Sequence, residues 1–112
     1  MMRKVSVGRE ITDTTEYTLY KVPTGYRASW NLLYLINNTA SAKGFTVTWY
    51  DADDNEVAHV FLNYPVSAND FIMFNSGAWV NLEENEYVTV KCEDSGAHGD
   101  VIASFEVERN NT

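Results

Sequence analysis

The feature that most constrains this chain is a hydrophobic period of two, repeated along its length. The run "YRASWNLLYLIN" at 26–37 sets Tyr26, Ala28, Trp30, Leu32, Tyr34 and Ile36 on one face. Arg27, Ser29 and Asn31 fall on the other. Successive side chains of an extended chain point to opposite sides, so this pattern predicts a half-buried strand. From Leu32 to Ile36 both faces turn apolar, which predicts cover on both sides of its second half. "KGFTVTWYD" opposes Phe45, Val47 and Trp49 to Thr46 and Thr48. "VAHVFLNY" groups Ala58, Val60, Leu62 and Tyr64. "EYVTVKCE" and "DVIASFEVE" alternate again, "DFIMF" is a short apolar run, and "KVSVG" and "EYTLYKV" are shorter candidates.

Turn-forming stretches separate these runs: "PTG" at 23–25, "NNTASAKG" at 37–44, "DADDN" at 51–55, "YPVSAND" at 64–70, "NSG" at 75–77, "EEN" at 83–85 and "DSGAHGD" at 94–100. In "PTG", Pro23 is expected to preset the first central residue of the turn. No amphipathic helical segment, linker or internal repeat interrupts the series. About eight short strands at regular spacing predict an all-β fold. The expectation is one antiparallel β-sandwich domain over residues 1–112, jelly-roll or immunoglobulin-like. At this length a hydrophobic core suffices without disulfides or metals.

The net charge of −8 would repel a nucleic acid or an anionic membrane, and the basic residues form no stripe. No segment approaches the roughly 18 apolar residues of a membrane-spanning helix. "MMRKVSVGRE" lacks the apolar core of a signal peptide, so a soluble product of the cytoplasm is expected. Asn37-Asn38-Thr39 and Asn110-Asn111-Thr112 match the glycosylation pattern, which has no use without secretion. The single cysteine, Cys92, has no internal partner and no neighbour at zinc-ligand spacing, and reads as a small semi-buried side chain.

No catalytic constellation emerges. His98 lies near Asp94, Ser95 and Asp100, but residues of one short loop rarely converge as a triad. Glu83, Glu84 and Glu86, and Glu106 with Glu108, read as solvated faces rather than a glycosidase pair. "DADDNE" places Asp51, Asp53 and Asn55 at the first alternate positions of a calcium loop. Its sixth position is Glu56 where glycine is needed, and its twelfth is Leu62, which cannot bind calcium. A hairpin tip is the better reading, because Asp and Asn bond to their own turn backbone. The expectation is a protein without enzymatic activity, cofactor or metal.

Aromatic residues are abundant at 13%. Phe61, Phe71, Phe74 and Trp79 sit in short segments whose alternation does not bury them all in one small core. They either close the sandwich ends or form an interface, and the interface is the expectation taken here. Trp30 and Trp49 share faces with core-type residues. Trp79 is the one that could serve a sugar-binding platform.

The stretch "TLYKVPTGYRASWNLLYLINNTASAKGFTVTWYDADDNE" resembles a recurrent pattern in small structural proteins of tailed bacteriophages. Its marks are the Tyr20–Gly25 turn, the apolar strand Trp30–Asn37, the polar loop Thr39–Gly44 and the strand Phe45–Asp53 ending in aromatic-Asp-x-Asp. The turn Leu82–Glu86 and the strand Ser104–Val107 complete it. The resemblance spans roughly residues 17–107 and brings no active-site residues. It implies a virion component made in the host cytoplasm: a head decoration (cement) protein, or a neck or tail accessory protein. Its partners would be other virion proteins, the major capsid protein or neck and tail proteins. Such proteins form homo-oligomers, often trimers, which would occupy the surplus aromatics. A carbohydrate-binding module for host attachment is the alternative from another class, and a small hydrolase a third.

Overall fold

The computed structural model describes residues 2–110, and for 76–79 the backbone alone. Eight strands run along the chain: β1 (Met2–Ile11), β2 (Tyr17–Lys21), β3 (Tyr26–Asn37), β4 (Lys43–Tyr50), β5 (Glu56–Val66), β6 (Asp70–Leu82), β7 (Tyr87–Cys92) and β8 (Gly99–Arg109). They form two four-stranded sheets, in the orders β1-β8-β3-β6 and β2-β7-β4-β5. Every pairing is antiparallel. Consecutive strands from β1 to β8 therefore alternate largely between sheets, and the first strand lies beside the last. Two stacked sheets with these crossing connections are a jelly roll. Of the two topologies expected, the immunoglobulin-like one is excluded by this order.

The core lies between the sheets. Trp30, Phe45, Phe105, Ile11, Leu33, Leu35 and Leu82 are the larger side chains fully enclosed there. Phe105 stacks between Trp30 at 5.6 Å and Tyr20 at 4.7 Å, ring centre to ring centre. Strict alternation, however, fails in the middle of β3. Trp30 pairs with Phe105 of β8 while Leu32 pairs with Ser104, leaving Asn31 as an extra residue. Such a bulge shifts the side-chain phase by one. Ala28 and Trp30 point inward as expected, but beyond the bulge Leu33, Leu35 and Asn37 are the buried residues. Leu32, Tyr34 and Ile36 are turned outward, the reverse of the alternating assignment.

β5 departs in the same way. Its ladder to β4 shifts register three times, and Asn63 takes a left-handed φ of 48°. Phe61 and Tyr64 pair with Val47 and Phe45 and so face the core side. Leu62, which alternation grouped with Val60 and Tyr64, parts from them and is 67% exposed.

The turns use their polar residues as predicted by type, with two differences: the "NSG" stretch at 75–77, expected to be a turn, runs inside β6, and the "PTG" turn is placed one residue later than expected. In 23–26 the Tyr26 N–H donates to the Pro23 carbonyl at 3.1 Å, and Gly25 has φ 88°. The central residues are thus Thr24 and Gly25, with Pro23 opening the turn. At 51–55 one Asp51 carboxylate oxygen accepts the N–H groups of both Asp53 and Asn55 at 2.9 Å. Those bonds hold its carboxyl below the usual carboxylate range. The side chain is committed to the hairpin tip. No helix among the described residues is long and apolar enough to cross a membrane.

Candidate functional site

The acids that stood out in the sequence are distributed over structural tasks. Glu84 accepts the Gly25 N–H at 2.9 Å, tying the 83–86 turn to the 23–26 turn. Glu86 accepts the Glu83 N–H at 2.9 Å and the Trp49 indole N–H at 3.3 Å. Glu106 accepts from Asn31, and Glu108 pairs with Arg27. The loop around His98 is likewise tied outward. Asp94 accepts the Gly44 N–H at 2.7 Å, the Ser95 carbonyl accepts from Lys43, and Asp100 accepts from Asn38. No group of three or more metal-type ligands converges among the described residues. Burial pushes the Cys92 thiol up from its ordinary pKa.

Two surfaces remain, the outer faces of the sheets. The face of β2-β7-β4-β5 is polar and internally bonded. Thr18, Thr89, Thr48 and His59 form one row across it. Thr48 and Thr89 are buried beneath longer neighbours, His59 at 3.1 Å from one and Glu16 at 2.6 Å from the other. Beside that row Tyr50 and Tyr87 stack on each other at 4.9 Å. The Tyr50 hydroxyl donates to Glu16 at 2.8 Å, and the Tyr87 hydroxyl donates to Asp54 at 2.9 Å. The Glu16 carboxylate beside it, with partial burial, pushes Tyr50 up to about 12.

The face of β1-β8-β3-β6 divides into two halves. Toward Met2 it is polar, with Ser29 bonded to Asn81, Asn31 to Glu106 and Ser6 to Ser104. Beyond the Asn31 bulge it becomes apolar. Residues directly opposite each other in a ladder share a face, so the registers define rows. Ile102, Tyr34 and Met73 make one row, and Ile36 and Phe71 the next, with Leu32 on the polar side. Phe71 is 56% exposed, Met73 46% and Ile102 37%, while Leu32, Tyr34 and Ile36 are half-buried. Glu10 and Asp100 continue the outermost row as an acidic rim.

Of the four residues expected at an interface, the three whose side chains are described are therefore dispersed. Phe71 lies on this open apolar half. Phe61 and Phe74 stack on each other at 4.3 Å, with Tyr64 edge-on to both, and close the flank between β5 and β6. The side chain of Trp79 lies outside what the structure describes. The companions of Phe71, namely Tyr34, Ile36, Met73 and Ile102, were not singled out by sequence reasoning. Their signal was the doubly apolar stretch 32–36, which called for cover that one chain does not supply.

No family model matches the sequence, and no curated protein matches it. Solved structures do match its fold. One is a chain of the Bacillus endospore appendages, described as disulfide-linked pili: TM-score 0.58, 14% identity, 100% of this chain and 88% of that one. A second is a chain of the acid-stable capsid of Helicobacter pylori bacteriophage KHP30: TM-score 0.52, 14% identity, all of both chains. A third belongs to the capsid of cyanophage Pam1: TM-score 0.51, 14% identity, 97% of this chain and 85% of that one. At such identities the likeness is one of fold. It covers 85–100% of those three chains.

Proposed function

We propose that this chain is a non-enzymatic structural protein of a tailed-phage virion, a capsid decoration (cement) protein that binds other virion proteins. The observation that carries the reading is the open apolar half-face built from Tyr34, Ile36, Phe71, Met73 and Ile102. A contiguous apolar surface of this kind on a small acidic protein marks a contact with another macromolecule. The fold shared with chains of two phage capsids supports a virion as the setting. Phe71 is the anchor of the contact, while Phe61 and Phe74 stiffen the flank behind it. Covalent linkage of the kind named for the endospore pili does not transfer, because Cys92 is the only cysteine and is buried.

A neck or tail position would use the same surface, and the genes adjoining this one separate the two: capsid genes favour decoration, tail genes the alternative. The sugar-binding alternative rests on Trp79, whose side chain lies outside what the structure describes, and the other aromatic pair adds little to it. The Tyr50–Tyr87 pair is stacked on itself and its hydroxyls are occupied by Glu16 and Asp54. The test is particle analysis. Cryo-microscopy and mass spectrometry of virions from the encoding phage should find the chain on the capsid shell. Phe71→Lys with Met73→Lys should strip it from the shell while leaving its fold intact. Virions that lack the chain altogether would overturn the reading.

A further inference from the structure

A two-sheet sandwich has four edge strands, and each exposes unpaired backbone groups that invite another strand. Here the edges are β1 and β6 of one sheet and β2 and β5 of the other. Three of them are protected by recognisable devices. β1 carries Arg3, Lys4, Arg9 and Glu10. β2 is five residues long with a register shift between Thr18 and Tyr20. β5 has three shifts, the left-handed Asn63 and Pro65.

The first half of β6 has none of these. Asp70–Asn75 pairs residue for residue with Asn37–Leu32 without a shift. The segment, "DFIMFN", contains no proline, glycine or basic residue. Its one charge, Asp70, accepts the adjacent Phe71 N–H at 2.8 Å.

We propose that this edge is a self-association site: Asp70–Asn75 pairs antiparallel with the same segment of a second copy, joining two four-stranded sheets into one of eight. Three observations select a second copy as the occupant. A two-fold axis normal to the sheet keeps outer faces outer, so Phe71 of one copy meets Met73 of the other across a dyad at Ile72. Sulfur–aromatic contact favours that pairing. Two molecules of charge −8 repel, and they approach at least cost where a six-residue edge bears a single charge. Finally, Phe71 and Met73 are 56% and 46% exposed and Leu62 of the adjoining β5 is 67% exposed, so the edge is lined by apolar side chains that a second strand would cover.

The test uses the isolated chain, so its outcome is separate from that of the virion reading. Sedimentation equilibrium from micromolar to millimolar concentration should give a monomer–dimer equilibrium. Phe71→Lys with Met73→Lys, both at exposed positions, should weaken it at least about tenfold, a change of about 1.4 kcal/mol. A Met73→Cys variant should be captured as a dimer by a short bismaleimide, and a Ser6→Cys variant on the opposite edge should not. A monomer throughout, a trimer, a dimer that the lysines leave intact, or equal capture through Ser6→Cys would each overturn the proposal. A monomer that still decorates virions would overturn it and leave the assignment to the capsid standing.

Discussion

At the scale of single residues, a few side chains hold the loops in place. Asn37 is 1% exposed at the end of β3. Its amide donates to the carbonyls of Ser41, Val66 and Ser67, and its oxygen accepts from the Thr39 N–H and hydroxyl. Asn37→Ala should cost about 2–3 kcal/mol in urea denaturation, because it strands several buried carbonyls. The sequon it belongs to is sterically closed in the folded chain. Gly99 sits so close to β3 that a Cβ would collide with the Ile36 carbonyl. Gly99→Ala should therefore lower stability by about 1–3 kcal/mol, read as a drop in Tm. Tyr50 gives a pH signature. Its folded pKa of about 12 lies above the ordinary 10.0. The stabilisation it reflects is complete below pH 10 and is lost as pH rises through 12. Stability of the native protein should fall over that interval, and Tyr50→Phe should flatten the fall.

At the scale of elements, alternation predicted strands well and their facing poorly wherever a ladder slips. All eight runs became strands, because β-branched and aromatic residues at period two, set between turn residues, leave few other choices. What sequence could not show was the extra residue at Asn31. No local composition marks a bulge, which arises from how three neighbouring strands match in length and twist. Across it, Leu35 replaced Ile36 as the core residue. Leu35→Ala should accordingly cost about 2–5 kcal/mol by chemical denaturation, and Ile36→Ala less than half as much. Equal costs, or the reverse order, would return β3 to simple alternation. The apolar half-face has the same origin. Its residues were legible as apolar, yet their common outward direction depends on three strands in register. Of the four aromatics singled out, Phe61 turned inward where β5 slips against β4, and Phe74 because it lies opposite the core residue Leu33 of β3.

At the scale of the whole molecule, every strand pairing except β4 with β5 joins segments separated by at least one intervening strand, and β1 must wait for β8. Such long-range pairings slow folding, so refolding after dilution from urea should take milliseconds to seconds, measured by tryptophan fluorescence. Cys92, fully buried with its thiol pKa raised, should resist an aromatic disulfide reagent until the sandwich opens, and its labelling should follow global unfolding. The pairing of β1 with β8 has one more consequence. Met2 lies opposite Glu108, so both ends of the described chain emerge at one corner, on the polar end of their sheet. Glu10 and Asp100 mark the far end, where Ile36 and Phe71 lie. Eight strand residues separate the two, roughly 27 Å at the usual rise. A peptide or enzyme fused to either end of the described chain would thus ride at a distance from the apolar end.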